Sequence, residues 1–239
     1  MPSAGHGRAS PGAAPAFGKI DPVSVDAAGN EFNPSASFSV APDGRRDIGL
    51  VFIGASMVAG FGDPKGQGWV GRVVGRTGHP DADITAYNLG VRGDTSADVA
   101  RRWQVECPPR WAGRGEKRLV LSVGANDIAQ GITLARHRLN LANILDESTS
   151  QGIGTFVVSP PPGSDPAFNE KVEVLVDAQA DVCARRGIPF VDCYRPLLAH
   201  DQWRSELAAS LDGSHPGSAG YGLIAWLVLH NGWNDWLGL

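Results

Sequence analysis

Short apolar runs alternate with longer amphipathic stretches from Asp47 to the end of this chain. Most of the runs are apolar throughout, which is typical of parallel strands that are covered by helices on both faces. The runs predict strands at Ile48–Ile53, Ile84–Asn88, Leu119–Val123, Thr155–Ser159 and Pro189–Cys193. The stretches between and after them predict helices near residues 68–76, 95–107, 130–150, 168–186 and 217–230.

This alternation of strand and helix predicts the fold class. It is typical of a three-layer α/β/α sandwich around a mostly parallel, flavodoxin-like sheet. In the second predicted helix, Val99, Trp103 and Cys107 recur four residues apart, which gives that helix one apolar stripe. Open sheets of this kind bind ligands at the carboxyl ends of their strands. The functional residues are therefore expected at that edge.

The N-terminal segment has a different composition. Residues 1–47 are dominated by Ala, Gly, Pro and Ser and show neither a helical nor a strand period. Such a segment buries too little apolar surface to offset the entropic cost of ordering it. We therefore predict an irregular or mobile extension over residues 1–47, followed by one domain over residues 48–239.

Composition and charge give no sign of a nucleic-acid or membrane partner. The chain is 42% hydrophobic and 19% charged, and its formal net charge is -4. This charge gives no electrostatic reason to expect a nucleic acid or an anionic membrane surface as partner. The longest apolar run, Leu223–Leu229, is too short to span a bilayer. Pro11, Gly12 and Pro15 interrupt the apolar core that a signal peptide needs. These features predict a cytoplasmic protein, although a chain whose leader had been removed would show the same pattern.

Three cysteines, Cys107, Cys183 and Cys193, lie at wide and irregular spacing. An odd number without a Cys-x-x-Cys pair argues against a disulfide framework and against a zinc site. We therefore expect three buried free thiols and no bound metal. The pattern carries no signal for an oligomeric state.

Polar, glycine-containing segments follow the first three predicted strands, and a fourth precedes the last predicted helix. They span residues 54–56, 88–96, 124–127 and 212–216. The predicted fold brings these four segments together at one edge of the sheet. None of them carries the Gly-Lys-Ser/Thr ending of a phosphate-binding loop, so nucleotide binding is poorly supported.

Two of these segments hold candidates for nucleophilic catalysis. Of the six histidines, only His215 has a carboxylate, Asp212, three residues before it. A carboxylate placed there accepts a hydrogen bond from one imidazole nitrogen and leaves the other free to take a proton. Ser56 follows a buried strand and is placed to expose its hydroxyl. Each residue also fits a structural role, since Asp212 suits a turn or cap and Ser56 suits a helix N-cap.

The other two segments hold candidate electrophilic groups. Acyl transfer builds negative charge on a carbonyl oxygen, which fixed hydrogen-bond donors must stabilise. Gly93 offers a backbone N–H that a ligand can approach closely, and Asn126 offers a side-chain amide. A nucleophile elbow of the form Gly-x-Ser-x-Gly is absent because Val58 occupies its last position. This argues against the α/β-hydrolase family.

Taken in order, the four segments resemble the sequence blocks of the SGNH hydrolases, also called GDSL lipases and esterases. The resemblance covers residues 48–239. It implies a nucleophilic serine with an Asp-x-x-His pair, and an oxyanion hole that combines two backbone N–H groups with an asparagine amide. The residues that it assigns are Ser56, Asp212 and His215 for catalysis and Ser56, Gly93 (with Gly90 as the other register) and Asn126 for the oxyanion hole.

One position departs from the family pattern. Where these proteins usually have Gly-Asp-Ser-Leu, this chain reads Gly54-Ala55-Ser56-Met57. The missing aspartate is not the triad acid, so Ala55 removes no catalytic group. It does remove hydrogen-bonding capacity beside the nucleophile.

The resemblance implies a serine ester hydrolase that works through an acyl-serine and needs no metal or organic cofactor. The expected substrate is a small ester, either of a short acyl group or of an acetylated sugar. Trp69 and Trp203 are candidates for lining its pocket. Two alternatives stay open. Ala55 favours a non-catalytic glycan- or acyl-binding protein on the same fold, and an acyltransferase would carry the same residues.

Overall fold

A computed structural model of the chain describes residues 44–239. Of the predicted N-terminal extension, only the last four residues fall within this range, so the extension itself lies outside the described residues. The strands are β1 (Arg46–Gly54), β2 (Ala82–Gly90), β3 (Glu116–Ser122), β4 (Gly154–Val158) and β5 (Phe190–Val191). They form one parallel sheet in the order β2-β1-β3-β4-β5. This is the flavodoxin-like order, and it confirms the predicted fold class.

Longer helices cover both faces of the sheet, and short ones connect them. They are α1 (Ser56–Ala59), α2 (Gly68–Val74), α3 (Ser96–Glu106), α4 (Pro108–Trp111), α5 (Ala125–Ala129), α6 (Leu134–Ser150), α7 (Pro166–Ala184), α8 (Tyr194–Leu198), α9 (Asp201–Ala209), α10 (Ser218–His230) and α11 (Trp233–Leu237). The five predicted helices correspond to α2, α3, α6, α7 and α10. The others were not predicted, because most have only four or five residues and such short elements show no helical period.

Helices bury both faces of the sheet, and successive strand residues point to opposite faces. In β1, Leu50 and Phe52 pack into a core with α2, α10 and α11. Val51 and Ile53 pack into a second core with α3, α4, α6 and α7. The two cores together make the three-layer sandwich, and they explain why the strand is apolar throughout.

The apolar pattern predicted the positions of the strands more accurately than their ends. β1 begins two residues before its first predicted residue, because Arg46 pairs with Glu116 and Asp47 pairs with Arg114. Two charged residues thus belong to the strand, although the apolar pattern placed them outside it. β5 is shorter than predicted, since the Cys193 N–H donates to the Ser159 hydroxyl at 2.8 Å instead of continuing the strand.

The predicted buried thiols are confirmed, since Cys107, Cys183 and Cys193 are all buried and free. In the apolar stripe of α3, Val99 and Trp103 are fully buried as expected, together with Cys107, which follows the helix. Within residues 44–239, no helix combines the length and the apolar character needed to cross a bilayer.

Candidate active site

The four polar segments meet at the carboxyl edge of the sheet. Ser56 is the first residue of α1, directly after β1, and Asn126 lies in α5, directly after β3. β1 and β3 are neighbours, although β2 separates them along the chain. From β1 the chain passes to β2 on one side and then to β3 on the other, so the strand order reverses between β1 and β3. Flavodoxin-like sheets bind their ligands at such a switch point.

Ser56, His215 and Asp212 form a continuous chain of hydrogen bonds. His215 Nε2 lies 2.7 Å from Ser56 Oγ, and His215 Nδ1 lies 2.6 Å from Asp212 Oδ2. The other carboxylate oxygen, Asp212 Oδ1, accepts the backbone N–H groups of Ser214 and His215, each at 2.9 Å. The Asp212 carboxylate therefore holds the imidazole with Nδ1 as donor and Nε2 as acceptor for the serine proton.

The same contacts keep Asp212 ionised. Partial burial raises the pKa of its carboxyl, but the backbone and side-chain hydrogen bonds from His215 and the backbone hydrogen bond from Ser214 outweigh that effect. The result is a pKa of about 2. Asp212 thus carries its negative charge beside the imidazole throughout the neutral and mildly acidic range.

The loop after α1 supports His215 from one side. The ring of Phe61 meets the His215 ring edge-on, with their centroids 5.0 Å apart. Gly62 has a φ of +90°, and a Cβ there would lie only 3.2 Å from His215 Cβ. The Tyr221 hydroxyl from α10 donates to the Phe61 carbonyl at 2.5 Å. A side chain at position 62 would crowd the segment that carries His215, and the positive φ also favours glycine there.

Asp63, which we did not predict as a site residue, ties this loop to the segment that carries His215. Its carboxylate accepts the Ser218 hydroxyl at 2.5 Å, the Arg72 guanidinium at 2.6 Å and the Gly68 N–H at 2.9 Å. Burial raises the pKa of this carboxyl, but the hydrogen bonds outweigh it and lower the pKa well below its ordinary value. Only the Gly-Asp-Pro turn signal marked this residue in the sequence.

Asn126 is anchored by one half of its amide. Its Nδ2 donates one hydrogen to the Asp94 carbonyl at 2.8 Å, which leaves the second hydrogen for a ligand. The side chain also lines the cavity in front of Ser56. Asn126 is therefore placed to stabilise an oxyanion.

Gly93, rather than Gly90, offers a free backbone donor. Gly93 has a φ of +87°, and its N–H makes no hydrogen bond to any other residue in the described range. The Gly90 N–H is taken by the Asn88 side chain at 3.0 Å. A Cβ on Gly90 would lie 2.3 Å from the Ala59 backbone nitrogen, so this glycine serves the close packing of β2 against α1.

Helix α5 clamps the segment that holds Gly93. The Ser96 N–H and hydroxyl donate to Asp127 Oδ1 at 3.1 and 2.8 Å, and Asp127 Oδ2 lies 3.1 Å from His137 Nδ1. Gln130 Nε2 donates to the Gly93 carbonyl at 2.9 Å. Asp127 and His137 are fully buried. Neither Asp127 nor Gln130 was predicted as a site residue, although Asp127 lies in the polar segment 124–127.

An apolar cavity of about 170 Å³ lies in front of Ser56. Its walls include Ala55, Val123, Pro160–Pro162 and Phe168, and its polar groups include Ser56, Asn126 and His215. Ala55 occupies the N-cap position of α1, where its methyl group makes no capping hydrogen bond. A narrow apolar space beside a serine hydroxyl suits a small acyl group.

The two tryptophan candidates do not line this cavity. Trp69, a residue of α2, is fully buried in the core, in edge-to-face contact with Phe52. Trp203 is also fully buried, and its Nε1 donates to the Pro162 carbonyl at 3.0 Å. Trp203 therefore supports the proline loop from behind, because a tryptophan N–H within a core needs an acceptor.

Most of the chain matches a known protein family. The model of the GDSL-like lipase/acylhydrolase family matches residues 52–223. That range includes Ser56, Asp212 and His215 and also the other two proposed oxyanion donors, Gly93 and Asn126. No curated protein sequence gives a significant match to the chain.

Two solved structures share the fold. Axe2, an acetylxylan esterase from Geobacillus stearothermophilus, is 18% identical, with a TM-score of 0.63 over 78% of this chain and 94% of its own. The lipase/acylhydrolase from Enterococcus faecalis is 24% identical, with a TM-score of 0.63 over 80% of this chain and 96% of its own. At such identities the likeness shows a common fold.

Proposed function

Since the chain belongs to the GDSL-like lipase/acylhydrolase family, we propose that it hydrolyses esters of short acyl groups through an acyl-serine on Ser56. Family membership makes it a serine esterase or hydrolase, and it confirms the resemblance drawn from the four polar segments. The chain of two hydrogen bonds from Ser56 through His215 to Asp212 carries the proposal.

The mechanism follows from the positions of these groups. His215 Nε2 takes the proton of Ser56 while Oγ bonds to the ester carbonyl carbon. The carbonyl oxygen becomes an oxyanion, and it is stabilised by the backbone N–H groups of Ser56 and Gly93 and by the Asn126 amide. The bond to the alcohol then breaks, and the leaving oxygen takes the proton from His215. Water attacks the acyl-serine by the same route and releases the acid.

The apolar cavity supports a short acyl chain, because its volume is only about 170 Å³ and Phe168 and the Pro160–Pro162 loop line it. Acetyl esters are the substrates that we propose first. An acetylated sugar is one alcohol class that fits this proposal, and the structural neighbour Axe2 is described as an acetylxylan esterase.

A series of p-nitrophenyl esters tests the proposal. We expect wild-type kcat/KM to fall about tenfold or more from acetate to octanoate, since the longer chain does not fit the cavity. Ser56→Ala should abolish turnover, whereas Ser150→Ala, at the exposed end of α6, should keep the full rate. Unchanged turnover in Ser56→Ala would overturn the proposal.

A fluorophosphonate probe separates the enzyme from a binding protein. Ala55 favours the binding protein, because its side chain leaves the helix that begins at the nucleophile uncapped. For an enzyme, the probe should add to wild-type protein and not to Ser56→Ala, as read by intact mass. Absence of labelling in both would favour the binding protein. Transfer of the acetyl group to an added alcohol in preference to water would indicate an acyltransferase.

A further inference from the structure

A second depression lies on the other side of His215 from the apolar cavity. This groove has a volume of about 480 Å³. Among residues 44–239, His215 is the only one that lines both spaces. Unlike the cavity, the groove has acidic and basic side chains in its lining. The residues that line it include Phe61, Arg92, Glu206, Asp212 and His215.

Arg92 is held at the edge of this groove by an aromatic ring. The centre of its guanidinium group lies 3.4 Å from the centroid of the Phe61 ring, and that ring in turn meets His215. Stacking a guanidinium on an aromatic face is favourable and restricts the side chain. Arg92 is thus fixed one aromatic ring away from the proposed catalytic base.

The Arg92 guanidinium has no carboxylate partner among residues 44–239. Most other arginines in that range do pair with a carboxylate. Two carboxylates line the same groove, but both are engaged elsewhere. Asp212 binds His215, and Glu206 accepts the Gly220 N–H at the start of α10. An arginine offers five N–H donors and no acceptor, and those of the exposed Arg92 are accessible to a ligand.

The chemistry of the step places the alcohol of the substrate on this side. The acyl group must reach Ser56 and Asn126, which line only the apolar cavity. The leaving oxygen must reach His215, which supplies its proton and opens onto the groove. The alcohol portion therefore extends from His215 toward Arg92.

We propose that Arg92 binds a carboxylate on the alcohol portion of the ester substrate. This inference rests on the proposed esterase function. A planar guanidinium matches a carboxylate in two parallel hydrogen bonds. Arg92 is then a specificity-determining residue, and the substrate class is an acyl ester of an acidic alcohol.

Paired substrates that differ in one charge test this inference. Each of 3- and 4-acetoxybenzoate is compared with the acetoxybenzamide of the same geometry. For the better isomer, we expect the wild-type ratio of kcat/KM, acid over amide, to fall about ten- to a hundredfold in Arg92→Gln, mainly through KM. Arg92→Lys, which keeps the charge, should retain part of the preference. Added salt should lower the wild-type ratio.

Three results have distinct meanings. An acid-over-amide ratio that is equal in wild type and Arg92→Gln for both isomers overturns the inference. If that constant ratio is accompanied by an equal loss of kcat/KM on acid and amide, Arg92 only shapes the loop before Gly93. If the wild-type protein cleaves neither substrate nor p-nitrophenyl acetate, the proposed esterase function fails instead.

Discussion

Asn126 and Asp94 are joined by a hydrogen bond of 2.8 Å from the side-chain amide of the first to the backbone carbonyl of the second. The bond fixes the amide in one orientation before any substrate arrives. Donors that need no reorganisation stabilise a developing charge most effectively, particularly where water is excluded. The relationship between these two residues therefore links the loop after β2 to the proposed oxyanion hole.

Asn126→Ala should lower kcat by about 10²–10³-fold with little change in KM, because the donor acts on charge that develops in the transition state. Steady-state hydrolysis of p-nitrophenyl acetate measures the effect. Gln104→Ala, at an exposed position of α3, is the matched control and should behave as wild type. A wild-type rate in Asn126→Ala would show that its assigned role is wrong.

Asp127→Ala should destabilise the fold by about 3 kcal/mol, since it leaves buried polar groups of Ser96 and His137 without their partner. Urea denaturation measures the change in the free energy of unfolding. Asp127→Asn retains an acceptor for Ser96 and should recover part of the loss. Asp201→Asn, at an exposed position, should change stability little. If Asp127→Ala were as stable as Asp201→Asn, the buried network would not hold the Gly93 segment.

Asp212→Asn should lower kcat by about 10²–10⁴-fold, because the amide no longer stabilises the charged imidazole or fixes its tautomer. The wild-type pH profile offers a second test. The pKa of Asp212 is lowered to about 2, so this group keeps its charge as the pH falls from about 8 to about 4. Asp212 should therefore add no protonation step to the pH profile of wild-type kcat over that range. A step in wild-type kcat between about pH 8 and about pH 4 that is absent in Asp212→Asn would contradict this assignment.

Ala55→Asp should raise the free energy of unfolding by about 0.5–2 kcal/mol, because α1 then gains a side-chain acceptor for its free N–H groups. The backbone of Ala55 is extended, with φ -100° and ψ -151°, as at helix N-caps in general. Ala55→Val, which adds bulk without an acceptor, is the control. Equal stability of the two variants would show that a capping hydrogen bond does not form. Thermal and urea denaturation both report the difference.

The sequence determined the layers of the fold and the local half of the site. Apolar strand positions such as Phe52 and Val51 are readable because burial on both faces leaves an uninterrupted apolar run. The Asp212–His215 pair is readable because its residues lie within one turn of chain, so their spacing alone brings them together. Ser56 and Asn126 were found because they follow strands whose carboxyl ends share one edge.

The tertiary structure alone decided the contacts between distant segments. His215 reaches Ser56 across 159 positions, and Asp63 reaches Ser218 across 155. It also distinguished Gly93 from Gly90 as the free backbone donor. Gly90 packs closely against α1, and its N–H already donates to the Asn88 side chain. The sequence does not distinguish Arg92 from other surface arginines, because its contact with the Phe61 ring joins separate segments of the chain. Periodicity records which side of an element is buried, but it carries no information about which residue of another element lies opposite.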